Sequence, residues 1–282
     1  MRTYLIWSVK VLVSAMSLWW VAKKIKWSLV YSLLGSIHLL WLLAALVVFT
    51  ISRFIAAVRL NLFFHHVGLK LPHWLNVQLY YVGMFYNFCL PGGISGDGYK
   101  IYWLQRHYKV AVNDLIHATF ADRLSGLVAL VWLFFVCFLG CKEVVAMPWL
   151  TTYCLCAVVC LWPVVYVVQY FWGSRFLPIF LMSNIQALLM QTTQVVVVYF
   201  LLCAMHVKTS LYSYLCVFLL SSVAAVIPLS IAGVGAREMT FLYLQPLFGY
   251  DETVGVALSS LFFFLSLVAT LPGMFCALPQ KN

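Results

Sequence analysis

The feature that most constrains this chain is a succession of long apolar runs almost free of charge. One covers Thr3–Val21, a second Leu29–Ser52 with a helical continuation to Phe64, and a third Trp74–Leu90. Others lie at Leu124–Gly140, Met147–Trp172, Ser183–Ala204, Leu211–Ile227 and Thr253–Leu278. Each is about 17–26 residues long, enough to cross a hydrocarbon core as a helix rising about 1.5 Å per residue. None alternates apolar and polar residues as barrel strands do. Inside a bilayer the backbone must satisfy its own hydrogen bonds, which leaves helices. The chain therefore reads as all-α: a polytopic transmembrane bundle of about eight spans, forming one membrane domain over residues 1–282.

Composition agrees, and for a physical reason. Charged residues make up 9% of the chain and hydrophobic ones 65%, whereas a soluble domain needs about 25% charged residues to meet water. The net charge of +10 is scattered, which suits loops beside anionic headgroups. It forms no basic stripe of the kind that binds nucleic acid. The basic residues divide almost evenly between alternate loops, so the membrane orientation stays open. Arg2 and the run that follows it could pass for a signal peptide. That run lacks an A-x-A cleavage site and ends in Trp19, Trp20, Lys23, Lys24 and Lys26, which suit an interfacial anchor and a first span. Most of the nine cysteines, among them Cys137, Cys154, Cys156, Cys160, Cys203 and Cys216, sit inside apolar runs with no CxxC spacing. They read as small hydrophobes, and adjacent His65 and His66 cannot share a helix face. No metal or other cofactor is expected.

Two proline- and glycine-rich stretches interrupt the apolar pattern. PGGISGDGYK from Pro91 and PLSIAGVGAR from Pro228 share the pattern P-x-x-I-x-G-x-G-x-[K/R]. It aligns Gly96 with Gly233, Gly98 with Gly235, and Lys100 with Arg237. Two helix-breaking segments in corresponding places suggest an internal repeat, with halves at about residues 29–140 and 147–278 and a re-entrant segment in each. Ordinary tight loops would have the same composition. A helix restarting after such a break points its amides, with their partial positive charge, into the cavity beyond. Gly96, Gly98, Gly233 and Gly235, with Lys100 and Arg237, are therefore candidates for holding an anionic or phosphate-bearing lipid headgroup.

Charges within a membrane are costly and usually paired, so Asp97, Glu238, Asp122 and Arg123 are candidates for gating or charge pairing. Asp97 can pair with Arg237 across the halves or with Lys100 three residues on, and Asp122-Arg123 is read as opening the fourth span. Arg53 and Arg59, near the end of the second span, are expected to snorkel to interfacial lipid. A nucleophile elbow, an HExxH motif, paired aspartates and a Walker loop are all missing from the sequence. No catalytic residue is assigned, and ATP-driven pumping is disfavoured.

Four segments carry a family resemblance: SRFIAAVRLNLFFHHVGL, LPGGISGDGYKIYWL, ADRLSGL and PLSIAGVGAREMTFL, in that order between Ser52 and Leu242. They resemble the transmembrane region of lysylphosphatidylglycerol synthase, also called the flippase-like family. The resemblance implies a helical unit for lipid translocation, in a plasma membrane such as a bacterial inner membrane. Multidomain relatives join this unit to a soluble aminoacyl transferase. Here the last apolar run reaches almost to Asn282, so a stand-alone unit without that synthase domain is expected. Two departures, Ile94-Ser95 before Gly96-Asp97 and lysine rather than arginine at Lys100, leave the headgroup preference open. The leading expectation is a flippase-like translocator, more transporter than enzyme, with membrane lipids as its partners. Its alternatives are a non-transporting subunit that partners a separate lipid or glycolipid synthase, and a membrane-embedded lipid-modifying transferase. The oligomeric state is open.

Overall fold

A 28-residue run without proline or glycine has no better way to satisfy its backbone in hydrocarbon than a continuous helix, and Leu39–His66 (α1) forms one. It stops where the sequence offers a glycine. Gly68 has a φ of +87° and donates to His65 O, while Leu69 donates to Phe64 O at 3.0 Å. That is the glycine-terminated cap which satisfies the last carbonyls of a helix. The other elements are α2 (His73–Cys89), α3 (Ser95–Tyr108), α4 (Val112–Phe138), α5 (Pro148–Trp172) and a 3-10 turn (Ser174–Ile179) leading into α6 (Phe180–Ala204). Then follow α7 (Leu211–Val226), α8 (Ala236–Phe248), α9 (Glu252–Thr270) and the single turn α10 (Pro272–Phe275). This computed structural model describes residues 35, 37–89, 95–141, 147–226, 235–276 and 278. The expected first span at Thr3–Val21, residues 91–94 of the first glycine-rich stretch and residues 228–234 of the second, Gly233 included, lie outside the described residues.

All described elements are helical, and five are long and apolar enough to cross a membrane: α1, α4, α5, the turn with α6, and α9 with α10. Two sequence boundaries need correction. The span read from Leu124 is the later part of one helix, Val112–Phe138, so Asp122 and Arg123 lie inside it instead of opening it. Their charges do not break the helix because tertiary partners absorb them. The polar stretches after both Pro/Gly breaks are helices, α3 and α8, of 14 and 13 residues. The last span divides at Pro272, and Gly273 then lies so close to α2 that a Cβ there would be 2.2 Å from Tyr81 O.

Packing places the site. One apolar cluster gathers Leu60, Phe63 and Phe64 of α1 with Leu115 and Ala118 of α4, Trp103 of α3, and Phe176 just before α6. A larger one gathers Ala45 and Phe49 of α1, Leu130 and Leu133 of α4, Val197 and Leu201 of α6, and much of α7 and α9. Between them, on the same three helices, lie Arg53 and Arg59, then Asp122, Arg123 and Gly126, then Gln191 and Gln194. A polar layer is thus enclosed between two apolar ones. Charged groups among apolar helices are costly to leave unpaired, so partners are expected for them there.

Candidate functional site

The polar layer surrounds two adjoining cavities of about 220 and 350 Å³, which share Arg53, Met84, Asn87, Phe88 and Arg237 as walls. Close helix contacts build the walls. Gly96 opens α3 directly against α2, where a Cβ would be 1.8 Å from Gly83 O, and its amide donates to Asn87 Oδ1 at 2.8 Å. That crossing carries Asp97 and Lys100 inward. Lys100 Nζ lies 2.6 Å from Asp97 Oδ1, and Arg123 grips Asp97 Oδ2 through Nε and Nη2. One carboxylate therefore serves two cations.

Across the cavity, Arg59 Nε donates to Asp122 Oδ1 at 2.7 Å. Gly126 makes this fit possible, since a Cβ there would come within 3.3 Å of both terminal guanidinium nitrogens. Gln191 Nε2 closes the wall by donating to Gly126 O at 3.0 Å. Arg59 is only 4% exposed, and its Nη1 has no hydrogen-bond partner among the described residues.

The remaining two cations lie over aromatic rings. Arg53 lies 4.5 Å above Phe49, and Arg237 lies 4.9 Å from the Phe262 ring and 5.3 Å from Phe218. Phe262 touches both other rings, at 5.6 Å from Phe49 and 4.7 Å from Phe218. The three rings form one platform carrying both guanidiniums. Arg53 Nε also donates to Ser52 Oγ at 3.2 Å, and Arg237 Nη1 to Ser222 Oγ at 3.1 Å. Among the described residues, neither arginine has a carboxylate within ion-pair distance. Glu238 is engaged elsewhere: its Oε2 accepts from Gly235 N at 2.8 Å, capping α8, and its Oε1 from Ser259 Oγ at 2.8 Å.

The described lining thus holds five cations (Arg53, Arg59, Lys100, Arg123, Arg237) against three carboxylates (Asp97, Asp122, Glu238). Two positive charges remain uncompensated in that lining, and an excess of this kind among apolar helices favours an anion. An aromatic floor under the guanidiniums orients their donors and offsets only part of their charge.

The family model of the lysylphosphatidylglycerol synthase TM region matches residues 7–182 and 173–273, nearly the whole chain. The chain belongs to that family. With its apolar helices, this membership makes it an integral membrane protein of a family implicated in lipid handling. No curated protein and no solved structure matches the chain.

On this member of the lysylphosphatidylglycerol synthase TM region family, eight charged residues singled out from sequence converge on the cavities: Arg53, Arg59, Asp97, Lys100, Asp122, Arg123, Arg237 and Glu238. Several do so differently than expected. Arg53 and Arg59 turn into the bundle instead of snorkelling outward, because Asp122 and the Phe49 ring receive them there. Asp97 takes Lys100 and Arg123, and Arg237 takes Ser222, so no Asp97–Arg237 pair forms. Among the described residues, the candidate glycines Gly96, Gly98 and Gly235 do not line the cavities. Gly96 is a packing contact with its amide already used, Gly98 is exposed with open space around it, and Gly235 supplies the backbone turn before α8 at φ +83°. Sequence reasoning missed Asn87, Gln191, Gln194 and Ser222, and the platform formed by Phe49, Phe218 and Phe262. Gln191 and Gln194, three residues apart within an apolar span, were the available signal.

Proposed function

We propose that the protein is a flippase-like lipid translocator that takes an anionic, phosphate-bearing headgroup into the polar layer between its two apolar clusters. The observation that carries this reading is the aromatic platform: Arg53 and Arg237 share it, half-buried, with no carboxylate within ion-pair distance among the described residues. A headgroup crossing hydrocarbon unaided loses its hydration with nothing in return. Two preoriented guanidiniums replace that hydration with charge-assisted hydrogen bonds, for which arginine and phosphate are geometrically matched. The sequence contains no ATP motif, so movement is passive or coupled to an ion gradient or a partner.

The test is leaflet exchange in vesicles reconstituted with the full chain, using fluorescent phosphatidylglycerol and a membrane-impermeant quencher. The expected result is quenching beyond the outer-leaflet share, slowed in the Arg53→Gln/Arg237→Gln double variant. Quenching no greater than in protein-free vesicles overturns the translocator reading.

A further inference from the structure

We infer that Cys141 and Cys216 form a modification site: an apolar hydroperoxide oxidises the two thiols to a disulfide that fixes the end of α4 against α7. The inference is independent of the translocator reading, since neither cysteine belongs to the cavity lining.

Local structure brings the two sulfurs together. α4 ends at Phe138 and the chain turns at once, with Gly140 N donating to Cys137 O and Cys141 N to Phe138 O, both at 3.0 Å. Gly140 lets this turn lie against α7, because a Cβ there would be 2.5 Å from the Tyr212 ring. Tyr212 and Cys216 stand four residues apart in α7 and so share a face. The residue after Gly140 therefore meets the residue one turn beyond Tyr212. Cys141 Sγ lies 3.7 Å from Cys216 Sγ, although the two are 75 positions apart in the chain. Bonded sulfurs are about 2.05 Å apart, so the pair must close by about 1.7 Å, within reach of side-chain rotation and a small shift of the turn.

The surroundings select the oxidant. Cys141 is 2% exposed and Cys216 0%, and both belong to the larger apolar cluster. Ions are excluded from such a site, whereas a neutral hydroperoxide dissolved in hydrocarbon is not. Apolar burial disfavours the thiolate, which makes the first step slow. In that step the terminal oxygen of the hydroperoxide passes to one sulfur, leaving a sulfenic acid and an alcohol. In the second step the other thiol attacks the sulfenic sulfur. The S–S bond forms, and the sulfenic hydroxyl leaves with the thiol proton as water. In sum, two electrons pass from the sulfurs to the O–O bond. The contact already present makes the second step intramolecular, so the sulfenic acid is captured before it oxidises further. The bond ties α4, which carries Arg123 and Gly126, to α7, which carries Ser222, and so restrains two walls of the larger cavity.

The test treats the full chain in detergent micelles with cumene hydroperoxide, reads the intact mass, and maps the sulfurs by peptide mass spectrometry after alkylation. The expected result is the loss of two hydrogens, a linked Cys141–Cys216 peptide, and the return of both thiols under dithiothreitol. The linked protein is expected to unfold about 5–10 °C above the reduced one, as for a cross-link closing a loop of this length. Cys216→Ala, which keeps the position apolar, is expected to remove the linked peptide and the rise in Tm together. Mapping on the unaltered chain carries the assignment should that variant fail to fold. Hydrogen peroxide, scaled by its rate with a soluble thiol, is expected to form the link more slowly than cumene hydroperoxide; equal scaled rates overturn the apolar oxidant. Cys141 and Cys216 remaining thiols once the exposed Cys156 and Cys160 are oxidised overturns the inference, as does a link from Cys141 to Cys137 or Cys154. A linked protein with an unchanged Tm overturns the claim that the bond fixes α4 against α7.

Discussion

Gly96 and Gly98 stand two residues apart in one motif, and the structure gives them opposite fates under the same substitution. At Gly96 an added Cβ would lie 1.8 Å from Gly83 O and 2.6 Å from Gly83 C. Backbone cannot rotate away as a side-chain end can, so α3 must retreat from α2 by about 1.2 Å to reach even a 3.0 Å contact. A retreat of that size would stretch the 2.8 Å bond from Gly96 N to Asn87 Oδ1 beyond useful length. It would also pull Asp97 off Arg123. Overpacking costs about 1–3 kcal/mol and the lost buried hydrogen bond about 1 kcal/mol more. The expected destabilisation of roughly 2–4 kcal/mol corresponds to a fall of roughly 5–15 °C in apparent Tm for a chain of this size. Gly98→Ala meets nothing within 4 Å on an exposed helical face. It should be neutral or stabilise by up to about 1 kcal/mol, through the lower backbone entropy of alanine in a helix. Thermal unfolding of both variants in micelles, followed by tryptophan fluorescence, measures the difference. A Gly96→Ala protein as stable as the parent, or a Gly98→Ala protein harmed as much as Gly96→Ala, would refute the helix-crossing account.

Asp97→Asn removes the counter-charge of Lys100 and Arg123 together and is expected to cost about 3–5 kcal/mol, the usual penalty for orphaning a buried charge. Adding Lys100→Met should recover part of that loss and adding Arg237→Met should not, as double-mutant unfolding would show; rescue by Arg237→Met instead would restore the cross-half pair. Glu238→Ala is expected to cost about 0.5–2 kcal/mol through the lost cap on α8. Glu238→Gln keeps an acceptor for Gly235 N and should keep both stability and lipid binding, so loss of binding in a stable Glu238→Gln protein would point to a gating charge.

The sequence by itself determined that this is a helical membrane protein. Long runs without charge have one solvent and one backbone solution, and both are local properties of composition and length. It also marked the residues that matter, since an ionisable group in an apolar run is costly wherever it ends up; hence Arg53, Arg59, Asp122 and Arg237 were legible before any packing was known. What each charge does was decided only by tertiary structure. Local reading sent Arg59 outward and let Asp122 start a helix, yet the two residues, 63 positions apart, meet across Gly126. The Gly-x-Gly pattern looked like one device, but Gly96 abuts α2 and Gly98 faces outward. Phe49, Phe218 and Phe262 looked like ordinary core until α1, α7 and α9 brought them under two arginines. The physical reason is common to all three cases: burial makes a charge expensive locally, but the partner that offsets it is set by which helix faces meet, and helix packing is not written at any single position.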